Sequence, residues 1–242
     1  MGFEPTTLWT TTRCSNQLSY ARHMQHRSKT LRDPRCVPSP VAFPTWRPVF
    51  GTRPVAILSP QKMTRFILVR HTVTPWNLSK KVQGHTDIEL APEGRVEARK
   101  LAGALSEVAY IISSDLKRAL QTATIINEKF RVPLQSDPRL RECSFGEIEG
   151  LTREEALERF GEAILPHWED RGHFYDFQPY GGEGRDAVAS RMVSALEEYA
   201  RTFRGENILI VSHGRALDTL LVELGHEPGI ERGSFRAIEI EP

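Results

Sequence analysis

Two short apolar runs with similar endings organise the hydrophobic pattern of the chain. Phe66-Ile67-Leu68-Val69 contains no polar residue and stops at Arg70-His71. Ile208-Leu209-Ile210-Val211, after Asn207, stops at Ser212-His213-Gly214. Apolar runs of this length without alternation predict strands covered on both faces, as in a parallel sheet. Pro75 prevents a regular continuation of the first run. Open α/β sheets bind ligands at the carboxyl ends of their strands, so a cation and imidazoles gathered there are candidates for chemistry. If the two strands are parallel neighbours, His71 and His213 leave the same sheet edge and face each other.

Helical spacing fills the interval between them. Pro92 suits a first helical turn, and Ala98, Leu101, Ala102 and Leu105 fall on one face behind it. Tyr110-Ile111-Ile112-Ser113 predicts another strand. Leu116, Ala119, Leu120 and Ala123 predict the core face of the next helix. Arg118 falls near the start of that helix, where free amides and the helix dipole favour anions. Thr152-Arg153-Glu154-Glu155 has the form of a capping box. Val188, Met192, Ala195, Leu196 and Tyr199 predict a further helix with Met192 in the core. The alternation Ile238-Glu239-Ile240-Glu241 predicts an edge strand. Alternating strands and helices of this kind predict a three-layer α/β/α sandwich on a mainly parallel sheet. Residues 161–182 are irregular and aromatic, with Trp168, Tyr175 and Phe177 either packing locally or roofing a site.

Composition changes the picture in two places. The net charge of +1 hides an asymmetry: residues 1–62 hold 9 basic and 2 acidic residues, whereas residues 63–242 hold 23 and 29. An acidic domain has no general affinity for nucleic acid, and a phosphate ligand would need a local cluster of arginines. Residues 1–62 show no sustained periodicity and are expected to be a disordered leader or a mis-called start. Gly2-Phe3-Glu4-Pro5 can be encoded by the complement of a nearly universal arm of transfer RNA genes. The opening resembles reading frames mis-called across such genes, with Met63 as the natural start of a domain over residues 63–242. The three cysteines, Cys14, Cys36 and Cys143, lack metal-ligand spacing and argue against a disulfide framework. Cys143 is expected to be a small buried hydrophobe. There is neither a bilayer-spanning apolar run nor a secretory apolar region, so a cytoplasmic location without membrane contact is expected.

Three further stretches carry candidate chemistry. They are Gln83-Gly84-His85-Thr86-Asp87, Leu140-Arg141-Glu142-Cys143-Ser144-Phe145-Gly146-Glu147-Ile148-Glu149-Gly150, and Gly181-Gly182-Glu183-Gly184. With the two histidine-ended strands, and in this order, they resemble the histidine phosphatase superfamily, the phosphoglycerate mutase-like family. The likeness runs from about Met63 to the C-terminus. It implies a phosphoglycerate mutase-like fold and a catalytic set of Arg70, His71, Arg118, Glu142 and His213. It implies phosphate or substrate binding by Arg70, Thr74, Asn77, Gln83, Gly84, Arg118 and Gly214, with no metal and no cofactor. In the implied chemistry a neutral His71 attacks phosphorus. Arg70, Arg118 and a protonated His213 stabilise the transferring oxygens, and Glu142 protonates the leaving oxygen. His85 is expected to be solvated, and Glu147 and Glu149 solvated or structural. Two departures stand out: Thr72 where the family usually has Gly, and Gly184 where its GGES motif has Ser.

Two histidines, two arginines and a glutamate can also suggest a metal site, because imidazole and carboxylate are common ligands. Arg70 and Arg118 would oppose a bound cation, whereas the same pair would hold phosphate through charge-assisted bonds. The expected activity is hydrolysis of a small phosphorylated metabolite. The compact, acidic segment from Cys143 to Ser212 disfavours the alternative, a cofactor-dependent phosphoglycerate mutase. A non-catalytic phosphate-binding member is the third reading, suggested by Thr72 alone. The sequence leaves the oligomeric state open.

Overall fold

A computed structural model describes residues 62–241. Apart from Lys62, the leader or mis-called start expected over residues 1–62 lies outside the described residues. Strand β1 (Thr64–Arg70) carries the first apolar run and β4 (Asn207–Ser212) the second. With β2 (Tyr110–Ser113), β3 (Leu134–Ser136) and β5 (Phe235–Ile240) they form one sheet in the order β3-β2-β4-β1-β5. All neighbours are parallel except β5, which runs antiparallel along β1 as the predicted edge strand.

Successive side chains of a strand point to opposite faces, and each face of this sheet has its own core. On one face Ile67, Val69, Ile111, Leu209 and Val211 pack against α2 (Pro92–Ala104) and α3 (Lys117–Phe130). On the other, Phe66, Leu68, Ile112, Ile208 and Ile210 pack against α6 (Arg185–Thr202) and α7 (Gly214–Glu223). This is the expected three-layer sandwich. Four-residue α1 (Pro75–Leu78) follows β1, and α4 (Arg153–Phe160) and α5 (Leu165–Glu169) lie between β3 and α6. The capping box at Thr152 forms with Glu155 as read from the sequence. Gly184 at the start of α6 supplies no side-chain cap.

The face expected for α3 needs correction. Leu120 is only half-buried, while Arg118, Thr122, Ile125 and Ile126 are buried. The buried stripe is turned so that the second residue of the helix points under the loops at the strand ends. Among the described residues no helix is long and apolar enough to cross a membrane.

Candidate active site

The register of β1 and β4 builds the centre of the site. Arg70 pairs with Ser212 across the sheet, and the His71 amide donates to the Ser212 carbonyl at 3.0 Å. Both strands therefore end in step, and the His71 and His213 rings emerge with centroids 5.1 Å apart. Both rings are buried, at 4% and 0% exposure.

Their hydrogen bonds fix their tautomers. His71 Nδ1 lies 2.8 Å from the Thr72 carbonyl, which can only accept, so Nδ1 carries the proton and Nε2 keeps its lone pair. His213 Nδ1 lies 3.2 Å from Arg118 Nε, which can only donate, so the ring's proton sits on Nε2. Burial, and next to it the Arg118 charge, holds both imidazoles well below their ordinary value of 6.5. Both causes favour the neutral ring of His213 in the unliganded site, whereas the protonated form implied by the resemblance concerns the site with phosphate held. The neutral ring remains a donor through Nε2–H.

Arg118 is fully buried and far from a solvated helix residue. Besides His213, it donates to the Thr86 carbonyl at 2.9 Å and the Gly84 carbonyl at 2.6 Å. Burial lowers its pKa to about 10, so it stays charged at neutral pH. The first amide of α3 is not free for an anion, because Lys117 N donates to Asp87 Oδ1 at 2.7 Å. The helix start contributes its arginine rather than its amides. Arg70 donates to the Ile230 carbonyl at 3.3 Å, and its Nε is buried without a partner among the described residues.

Glu142 is held by the start of α7. Its Oε1 accepts from Cys143 N at 3.0 Å and Ala216 N at 2.9 Å, and its Oε2 accepts only the longer 3.3 Å bond from Arg215 N. Oε2 is therefore the oxygen with room for a mobile proton. The segment bearing Glu142 is clamped by Arg191, which donates to the carbonyls of Arg139, Arg141 and Glu142 at 2.6–2.8 Å and pairs with Glu183. His85 Nε2, 2.9 Å from the Glu142 carbonyl, belongs to the same support and is not simply solvated. Glu149 is structural, accepting from the amides of His85, Thr86 and Phe145, while Glu147 pairs with Arg159 at the surface. Buried Cys143 donates to the Ser144 carbonyl, and burial pushes its thiol up, as an inert packing residue requires.

These groups open onto a cleft of about 190 Å³ lined by Arg70, His71, Asn77, Gln83, Gly84, Arg118 and Glu142. His213 lies beside it against His71. Asn77 Oδ1 accepts from Thr74 N and Oγ1, both at 3.1 Å, which leaves the Asn77 amide donors for the cleft. Two residues expected to bind phosphate do not line it. Thr74 is fully buried as the N-cap of α1, so it positions Asn77. Gly214 acts through its missing side chain. A Cβ there would meet the Arg70 guanidinium at 2.8 Å. Gly214→Ala is therefore expected to displace Arg70 and raise KM for a phosphomonoester about tenfold, or about 1.4 kcal/mol, measured by steady-state kinetics.

Thr72 fits without backbone strain. Among the described residues, Lys80 and Arg131 are the only non-glycine residues at positive φ. Thr72 is fully buried, its amide donates to Thr122 Oγ1 at 3.3 Å, and the two hydroxyls lie 3.3 Å apart. Thr122 in turn donates to the Arg118 carbonyl at 2.7 Å. The residue at this position supports the Arg118 helix and leaves the cleft open.

Two cations of the cleft escaped the sequence reading. Lys81 lines it directly. Arg215 lines it too, donating to the Asp170 carbonyl at 2.6 Å and the Trp168 carbonyl at 3.0 Å over the Tyr175, Phe177 and Phe145 rings. Arg215 follows the His213-Gly214 pair immediately, which was the available signal. The aromatic segment does both things expected of it: Tyr175 is core, whereas Trp168 and Phe177 wall the cleft.

Fold and cleft define a protein of the phosphoglycerate mutase-like class. The model of the histidine phosphatase superfamily (branch 1) matches residues 66–241, and the chain belongs to that superfamily. It is 37% identical over 158 residues to phosphoglycerate mutase-like protein 4 of Arabidopsis thaliana, covering 64% of this chain and 68% of that one. It is 33% identical over 172 residues to the uncharacterized phosphatase PhoE of Bacillus subtilis, covering 70% and 82%. The solved structure of Bacillus stearothermophilus YhfR superposes with a TM-score of 0.67 at 32% identity, covering 73% of this chain and 91% of that one. The relatives include both phosphatases and phosphoglycerate mutases.

Proposed function

We propose that this protein is a metal-independent phosphomonoester hydrolase that acts on a small phosphorylated metabolite through a phosphohistidine on His71. One observation carries the reading. Arg70 Nε–H and His213 Nε2–H are buried donors without partners among the described residues, beside an imidazole whose Nε2 lone pair is free. Leaving a buried donor unpaired costs about 1–3 kcal/mol, and a phosphoryl group would satisfy both.

In the proposed reaction, His71 Nε2 attacks phosphorus, forming the P–N bond as the P–O bond to the leaving group breaks. Glu142 Oε2 gives its proton to the departing oxygen. Arg70, Arg118, Asn77 and His213 Nε2–H donate to the phosphoryl oxygens, where most of the stabilisation in phosphoryl transfer lies. Water then attacks phosphorus, Glu142 takes its proton, and the P–N bond breaks to release phosphate. The cations around the cleft would repel a catalytic metal ion, which supports the metal-independent form of the proposal. Cytoplasmic action, favoured by unspaced cysteines, belongs to the same proposal. So does a partner list confined to a small phosphorylated metabolite, without nucleic acid or membrane.

Incubation of the full chain with a panel of phosphomonoesters, with and without EDTA, tests this reading. It predicts phosphate release unaffected by the chelator. Release that requires a metal, or transfer between phosphoglycerates without release, would contradict it.

A further inference from the structure

Asp218, in the middle of α7, is a half-buried carboxylate that the proposed reaction does not use. Burial raises its pKa, opposed first by a bond from the Gly229 amide and then by the Arg70 charge. Asp115 and Asp137 are held in ion pairs with arginines. Asp218 is not: its one hydrogen bond among the described residues comes from a backbone amide, Gly229 N–H donating to Oδ1 at 2.7 Å.

That bond joins α7 to the segment that holds Arg70. Residues 225–234, between α7 and β5, form neither helix nor strand. Within them Gly229 donates to Asp218, and the next residue, Ile230, offers its carbonyl to Arg70 Nη1 at 3.3 Å. Gly229 has φ +108°, a conformation open to glycine and resisted by other residues, so this turn is written into the sequence. Asp218 also lies four residues after Gly214, one turn further along the same face of α7. Gly214 is the residue against which the Arg70 guanidinium packs.

Arg70 depends on this segment more than Arg118 depends on any one contact. Arg118 donates to His213 and to two backbone carbonyls. For the Arg70 side chain the Ile230 carbonyl is the one acceptor among the described residues. A shift of the Gly229–Ile230 peptide would therefore leave Arg70 free to turn away from the phosphate position.

We propose that Asp218 is a positioning residue, which anchors the segment at Gly229 to α7 and through the Ile230 carbonyl holds Arg70 in place for phosphate. Asp218 does not line the cleft, so it acts only through Arg70. The role rests on the phosphatase reading in taking Arg70 as a phosphate ligand. Anchoring needs an oxygen that accepts from the Gly229 amide, and the negative charge is secondary.

Two variants separate anchoring from charge. Asp218→Asn keeps an oxygen for the Gly229 amide, and Asp218→Ala keeps none. Alanine favours a helix, so both variants should fold, which thermal unfolding checks. Titration of inorganic phosphate into the full chain is expected to give a Kd about tenfold higher in Asp218→Ala and within about threefold of wild type in Asp218→Asn. In an Arg70→Ala background, the loss of kcat/KM for p-nitrophenyl phosphate caused by Asp218→Ala should shrink to within about twofold, because residues acting through one another are not additive. Unchanged phosphate affinity in Asp218→Ala, an equal loss in Asp218→Asn, or the same loss with and without Arg70 overturns the assignment and leaves the phosphatase reading standing. Phosphate affinities in the expected order, without hydrolysis of any ester, overturn the phosphatase reading alone. A wild-type chain that binds no phosphate overturns both.

Discussion

His71→Ala is expected to lose turnover by a factor on the order of 10⁴ or more, because it removes the atom that forms the covalent intermediate. The loss should not reflect unfolding. His71 accounts for one backbone-directed hydrogen bond, to the Thr72 carbonyl, and its Nε2 has no hydrogen-bond partner among the described residues. Arg70, Arg118 and Asn77 remain, so phosphate should still bind to the variant. Calorimetric titration with phosphate separates lost chemistry from lost binding. The pH dependence follows from the same geometry. Burial and the Arg118 charge hold the His71 pKa well below 6.5, so the nucleophile stays deprotonated as pH falls through the ordinary imidazole range. The limb of kcat/KM belonging to His71 should therefore lie on the acid side of pH 6.5, because kcat/KM reports ionisations of the free enzyme.

Glu142→Gln gives the second large effect, and its size depends on the leaving group. The amide keeps the length and shape of the side chain but has no proton to give to an alkoxide. For an alkyl phosphate the expected loss in kcat is about 10²–10⁴-fold, the usual contribution of a positioned acid. For p-nitrophenyl phosphate, whose phenolate leaves unaided, the first step should change by no more than about tenfold. Comparing the two substrates in wild type and variant checks this. A uniform loss in kcat/KM, which reports phosphorylation of His71 and not the shared hydrolysis step, would assign Glu142 to positioning through its bonds to the start of α7 rather than to proton transfer.

His71 was legible in the sequence for a physical reason, whereas Glu142, one of three acids in its stretch, was singled out by the family resemblance alone. Phe66–Val69 and Ile208–Val211 are continuous apolar runs because β1 and β4 are interior strands covered on both faces. Once they are read as neighbours, parallel pairing brings His71 and His213 together. The helix faces through Ala98, Leu101 and Ala102 and through Val188, Met192 and Ala195 follow from period alone.

What sequence could not supply depends on contacts between distant segments. Three-residue β3 is too short to carry a pattern. Thr74 and Gly214 stand at motif positions, but only the folded chain makes one a cap for Asn77 and the other a clearance for Arg70. The lowered pKa of His213 comes from burial and then from an arginine 95 residues away that donates to its Nδ1. Lys81 and Arg215 look like any surface cations until the cleft closes around them. Thr72 is a departure from the family pattern whose fit only the folded chain shows: it is buried against Thr122 and is not among the residues at positive φ.

The most direct test of the account is to trap the intermediate. The full chain is mixed with p-nitrophenyl phosphate labelled in the phosphoryl group, whose leaving group needs no acid, quenched within one turnover, and the modified peptide is identified by mass spectrometry under basic conditions that preserve phosphoramidates. The account predicts one phosphoryl group on His71, absent from His71→Ala and accumulating when dephosphorylation is slowed in Glu142→Gln. Label on a different residue, or undiminished label in His71→Ala, would contradict it.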